Sequence, residues 1–266
     1  MERYTGPSIN AWPSFADLML SVVLVLVTIL VAAVVFITTG PDYRTVEASQ
    51  LAIREAMAEA TEAKFEEGEG RGVYDMTICT KKPMDVEADS SESCEEDELE
   101  TLIQVTDEPL IQKITFRGQL LFASAQANLT DHGEYLVEQI GTSIVSQLSN
   151  VREVQILGHA DTSYDKTKFL TDDMGTSEEK GRRFNLGLAS DRALAVFDLL
   201  EEVGVDPVAK LMSAASYGSY RPVTRRDGPY SEAQLRAANV SEPQRARNRR
   251  IELWLHFTPP SDAVEQ

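Results

Sequence analysis

Two sets of residues in this chain have the types and positions to do chemistry. The first is Asp17 with Ser21, one helical turn apart at the start of an apolar run. That run, Leu18 to Ile37, carries no charge, and its only hydroxyls are Ser21 and Thr28. An ionisable group at membrane depth is costly and marks a functional site by default. A carboxyl enclosed between helices has its charged form disfavoured, which suits it to loading and releasing a proton. At an exposed helix start the same aspartate would only complement the helix dipole. Ser21 can help coordinate on the same face, or it can bond back to a helix carbonyl. The second set is Asp161, directly after a strand, Arg192 on a helix opened by Asn185-Leu186-Gly187-Leu188, and Arg249-Arg250 before the last strand. An acid and arginines on neighbouring elements make either a surface ion pair of little value or a clamp for a zwitterion. In the clamp, Asp takes an ammonium and Arg a carboxylate.

Other chemistry is poorly supported. His132, His159 and His256 show no metal-ligand spacing with the cysteines or acids, and no G-x-S-x-G, P-loop or H-E-x-x-H occurs. No enzyme and no cofactor are expected. The net charge of -18 argues against binding nucleic acid through bulk electrostatics. The acidic stretch from Asp85 to Glu100 reads as a solvated loop, or as a calcium site without the turn glycine of an EF-hand. Cys79 and Cys94 close a short loop. A disulfide there would add roughly 3 kcal/mol in the chain-entropy model and requires an oxidising compartment, whereas two unrelated thiols would suit a cytosolic domain. The disulfide reading places the C-terminal bulk outside the cytoplasm.

These residues need elements to position them. Leu18 to Ile37 spans about 30 Å as a helix, one bilayer core. The run is too long for a signal peptide, and Arg3 is the only base before it, so a retained single-pass anchor is expected. The predicted organisation is a cytoplasmic lead over 1–11, a transmembrane helix over 12–40 and a periplasmic spacer over 41–107. A folded domain follows over 108–258, with a tail over 259–266. The spacer holds a helix from about Arg44 to Phe65, whose apolar stripe (Leu51, Ile53, Met57, Ala60) is ragged, then a glycine linker and the acidic Cys loop. In the domain, strands are predicted at Leu102–Val105, Ile111–Phe116, Val154–Leu157, Met212–Ala215 and Ile251–Phe257. Helices are predicted from Thr130 to Leu148 and from Leu188 to Val203. Strands alternating with helices describe an α/β fold, a two-layer sandwich.

LLFASAQANLTDHG, ILGHADTS, NLGLASDRALAVFDLL, KLMSAASYGSYRPV and RNRRIEL resemble, in order, the motifs of OmpA-like peptidoglycan-binding domains. The resemblance covers roughly 115 to 257. It implies that Asp161 and Arg192 hold the diaminopimelate of the wall peptide and that Asn185 and Leu188 shape the pocket. Arg249 and Arg250 match a motif that more often supports the fold. The chain departs from the pattern in a long polar stretch between Asp161 and Asn185, in Ala189 for the usual serine, and in an extended segment from Thr224 to Arg247.

WPSFADLML is similar to the start of the membrane helix in MotB-like stator subunits of flagellar motors and of the Zorya phage-defence motor. The resemblance implies that Asp17 carries the transported ion, a proton or sodium, inside a ring of five multi-span A-type subunits around a homodimer. It also implies an inner-membrane protein with its C-terminal domain in the periplasm, and a plug or spacer role for Arg44 to Phe65. The family's hydroxyl three residues after the aspartate is Leu20 here. The short lead with one base departs from flagellar stators. A non-conducting tether to the wall is the alternative implied by the second domain alone.

Overall fold

The last strand has the clearest pattern in the chain, and it lies inside the sheet. The structure, a computed structural model, describes residues 12–39, 43–61, 65–79, 99–164, 177–225 and 230–259. They divide into two units, 1–42 and 43–266.

In the larger unit, β7 (Arg250–Phe257) buries Ile251, Leu253, Leu255 and Phe257 on one face, as its alternation predicts. Its neighbours are β4 (Ile111–Arg117) on one side and β5 (Val151–His159) on the other, both antiparallel. Beyond β4 come β3 (Leu99–Glu108), β2 (Val73–Cys79) and β1 (Phe65–Glu67). Beyond β5 lies β6 (Met212–Gly218), parallel to it through the crossover helix α5 (Ser177–Glu202). The seven-stranded mixed sheet therefore runs β1-β2-β3-β4-β7-β5-β6.

Helices α2 (Arg44–Thr61), α4 (Asp131–Ser146) and α5 cover one face. The short α3 (Gly118–Leu121) precedes α4. Thr130 is the α4 N-cap, accepting from the Gly133 amide at 3.1 Å, with Asp131 in the first turn. Gly204, at φ +106°, follows α5 as its C-terminal glycine.

Several boundaries differ from expectation. The helix expected from Arg44 to Phe65 is Arg44–Thr61, with Phe65 opening β1; its buried stripe is Val46, Ser49, Gln50, Ile53, Met57 and Thr61, while Leu51 is exposed. Ile53 and Met57 join Met76, Ile103 and Val105 in the common core, each contributing about 1.5–3 kcal/mol by burial. Gln50 donates to the Glu108 carbonyl at 2.8 Å, and Asn150 donates to Ser49 Oγ at 2.8 Å. A domain start at 108 would cut the β3–β4 hairpin, in which Glu108 pairs with Ile111. The glycines of EGEGRG form the β1–β2 hairpin turn, with Gly70 and Gly72 at positive φ.

Helix α5 begins eleven residues before Leu188, since Ser177–Gly187 continues it by about three turns. Glu178 and Glu179 in its first turn complement the dipole. The Thr224–Arg247 segment builds α6 (Glu232–Ala237) and α7 (Glu242–Asn248), each opened by a capping box, Ser231/Gln234 and Ser241/Gln244.

One backbone approach positions α5. A Cβ on Gly158 of β5 would lie 1.9 Å from the Ala189 carbonyl oxygen, so only glycine lets α5 sit this close. Gly158→Ala is expected to cost about 3 kcal/mol of overpacking. A lowered denaturant midpoint at unchanged slope would show it, and an unchanged midpoint would refute the close approach.

In the smaller unit, α1 (Trp12–Thr39) is a continuous helix holding the whole apolar run. Its side chains are described over 17–32. Among the described residues no helix is long and apolar enough to cross a membrane. The span expected over 12–40 extends past the described side chains at both ends. Residues 80–98, Cys94 included, lie outside the described residues, as does the Cys79 side chain, so the expected Cys79–Cys94 bridge and most of the acidic loop do too.

Candidate functional site

The end of β5 and the middle of α5 bring most of the expected binding residues together. Asp161 is 4% exposed, two residues beyond the strand. Its Oδ1 accepts from the Ser163 amide at 2.7 Å, a turn that fixes the carboxylate. Its Oδ2 is paired with Arg249 Nη1 at 2.5 Å. Asn185, also buried, donates to the carbonyls of Asp161 at 3.0 Å and Ser163 at 2.9 Å. It therefore clamps the loop backbone from α5. Leu188 follows one turn on and is half-buried.

Arg192 is 6% exposed, and its donors go to a different loop. Its Nε donates to the Gln126 carbonyl at 2.8 Å and Nη2 to the Ala123 carbonyl at 3.3 Å, while the guanidinium lies 5.0 Å from the Phe122 ring centroid. Burial lowers its pKa, as does the nearby Arg249 charge, and Asp161 opposes both. Asp161, Arg192 and Arg249 thus share one electrostatic neighbourhood. The direct ion pair within it is Asp161–Arg249, with Arg192 alongside. For Arg249, burial lowers the pKa but the bonds to Glu242 and Asp161 outweigh it, and the net shift is upward.

Arg250 goes elsewhere. Alternation puts Arg250, Glu252 and Trp254 on the sheet face opposite the helices. Arg250 Nε donates to Glu252 Oε1 at 2.7 Å and Nη2 to the Arg221 carbonyl at 3.2 Å. Burial would raise Glu252, yet His159 and Arg250 beside it hold it well below the usual carboxylate range. His159 is 1% exposed and stacked on Tyr217, and burial lowers its pKa, so it is neutral at pH 7. Its Nε2 lies 3.5 Å from Glu252 Oε1, at the limit of hydrogen-bond range, and Arg250 makes the shorter contact at 2.7 Å.

The sequence did not single out the carbonyls of Ala123 and Gln126, or Glu242, which holds the other arm of Arg249. Serine followed three residues later by glutamine, twice in the Thr224–Arg247 segment, is a helix-start signal that would have placed Glu242 in a first turn. Among the described residues no group of His, Cys, Asp or Glu is arranged to hold a metal ion.

On α1, the Ser21 hydroxyl donates to the Asp17 backbone carbonyl at 2.9 Å, and Thr28 does the same to Leu24 at 2.7 Å. Of the two options for Ser21, the helix carbonyl takes the hydroxyl.

At the Asp161 site a carboxylate and two guanidiniums converge on a loop held by buried hydrogen bonds. That arrangement can receive a group carrying both an ammonium and a carboxylate. Residues 121–236 match the family model described as the OmpA family. By this match the segment resembles the OmpA family. The match takes in α4, β5, α5 and β6 with the Asp161 site, while β7 and Arg249 lie beyond it.

The chain is also similar to solved structures. The cell wall anchor of the T6SS from Pseudomonas aeruginosa is 26% identical, covering 59% of this chain and 89% of that one at a TM-score of 0.43. A putative MotB-like protein from Desulfovibrio vulgaris is 17% identical, covering 59% and 82%, at 0.44. The periplasmic domain of Helicobacter pylori MotB (residues 78–256) is 19% identical, covering 62% and 87%, at 0.43. No curated protein matches the chain.

Proposed function

We propose that this chain is the B-type subunit of an ion-driven rotary motor of the inner membrane. Its OmpA-like domain would hold peptidoglycan in the periplasm through Asp161, Arg192, Asn185 and Leu188, with Arg249 completing the charge set. Helix α1 would cross the bilayer and present Asp17 as the carrier of protons or sodium. Arg250 supports the sheet rather than the pocket. The chain has no enzymatic role in this reading, takes no cofactor and binds no nucleic acid.

The observation that carries the reading is the pairing of two features on one chain. A single acid, Asp17, stands on a 28-residue helix whose remaining residues bear no charge, and the same chain carries an OmpA-like domain. A wall tether needs the second feature and gains nothing from the first, because a buried acid destabilises a plain anchor. An ion carrier turns a rotor only when something holds the stator still, and the OmpA-like domain supplies that hold. The specific task of the motor, phage defence among the possibilities, would be set by the partner.

Helix α2 bears on the plug expectation. Its buried stripe is spent on the domain core, so a plug role would require α2 to leave Met76, Ile103 and Val105. A spacer-side wall of the domain is the simpler role.

The test is assembly. Co-expressed with a multi-span membrane protein encoded next to it, the chain should purify as a complex with five partner subunits and two B chains, resolved by cryo-EM. Purification of the chain without any multi-span partner would favour the non-conducting tether.

A further inference from the structure

The sheet face opposite the helices carries a groove of about 480 Å³, running from Asp75 on β2 across β3, β4 and β7 to the 221–225 segment. Strand spacing makes that crossing roughly 14 Å. The chain as a whole has 43 acids against 25 Lys and Arg, but the groove reverses the balance. Six of its lining residues are Lys or Arg and two are acids.

Glu252 offsets Arg250, and Glu108 outside the groove offsets Lys113, so the unpaired positive charge lies with the arginines of the 221–225 segment and Arg247. Glu252 is already bonded to Arg250 at 2.7 Å and to Trp254 Nε1 at 3.0 Å, and Asp75 accepts from Gln104 at 2.7 Å. Among the described residues, Arg221, Arg225 and Arg247 have no carboxylate partner. Arg221 lies over the Tyr217 and Trp254 rings, at 4.9 and 5.5 Å from their centroids. Arg225 donates to the Tyr220 carbonyl at 2.6 Å and lies over Tyr230. Arg247 is exposed at the groove wall.

Arg250 adds an independent observation. It is 5% exposed, and its Nη1 is buried with no acceptor. A buried donor left without a partner is costly and rare, and most so on a charged group.

We propose that this groove binds a small soluble oligophosphate, an anion bearing two or more phosphate groups. Guanidinium forks match phosphate oxygens, and ring contacts hold Arg221 in place before binding. Phosphate fits the charge density better than carboxylate does. Each phosphate brings up to two charges and three acceptors, so a compact anion can neutralise several arginines within this volume. The source is a free anion and not a membrane, because a body of net charge -18 is repelled by a flat anionic bilayer.

The test is calorimetric titration of the full-length chain with tripolyphosphate at low salt. The expected result is saturable binding that weakens as salt rises, and at least about ten-fold weaker binding in Arg247→Glu. Arg247 is exposed, so this variant should keep the wild-type melting temperature; Arg225→Glu provides a second test if it does not. Absence of binding by the wild-type chain would overturn the proposal. So would unchanged affinity in both folded variants, or citrate binding as tightly as tripolyphosphate. Preference for phosphatidylglycerol over phosphatidylcholine vesicles that is lost in Arg247→Glu would overturn it in favour of a membrane source.

Discussion

Asp17→Asn is expected to reduce ion flux through the assembled motor to background while leaving expression, wall retention and partner binding intact. The amide is nearly the shape of the protonated acid and can fill the same space between helices, so assembly should survive. It cannot take up and release a proton at any physiological pH, so each transfer step is lost rather than slowed. Asp17→Glu keeps the carboxyl but moves it by one methylene, and partial flux is expected. Ser21→Ala should have a much smaller effect, because the Ser21 hydroxyl bonds to the Asp17 backbone carbonyl at 2.9 Å and is committed to the helix. The measurement is flux in vesicles containing the chain with its multi-span partner, with sodium present and then replaced by choline. Flux that persists in choline identifies the proton. Full activity in Asp17→Asn would end the ion-carrier reading and leave the tether.

What the sequence reveals depends on whether a pattern is local. β7 was legible because Ile251, Leu253, Leu255 and Phe257 alternate over a single strand and all four are buried. The start of α4 was legible for the same reason, since the Thr130 cap and its partner Gly133 are three residues apart. The stripe of α2 was not, because Ser49 and Gln50 look like surface residues until Asn150 and the Glu108 carbonyl are found opposite them, 101 and 58 positions away. The Asp161 site divides in the same way. Its members could be named from motifs, but the bond between Asp161 and Arg249 joins residues 88 apart. The motif alone does not say which of the adjacent Arg249 and Arg250 reaches the carboxylate. Alternation decides it: Arg250 shares a face with Glu252 and Trp254, away from α5.

That pairing shapes the second large effect, on wall binding. Asp161→Asn is expected to weaken retention on purified sacculi by roughly 10- to 100-fold, the range for losing a hydrogen bond to a charged group. The Asn side-chain oxygen can still accept from the Ser163 amide, so the loop should keep its turn. Arg249 keeps Glu242 as a partner, so no buried charge is stranded. Arg192→Ala is a harsher change, because Arg192 also holds the carbonyls of Ala123 and Gln126. Arg192→Lys is therefore the better probe. It keeps the charge but loses the fork, so if the guanidinium grips the ligand carboxylate through two N–H groups, retention should fall despite the conserved charge. Melting temperature separates the two causes: retention lost at wild-type stability locates the effect in binding, and retention lost only with stability locates it in the loop. If Asp161→Asn and Arg192→Lys are both as stable as wild type and both retained on sacculi, the clamp does not hold the wall. The Asp161–Arg249 pair would then be a structural tie between the end of β5 and the start of β7.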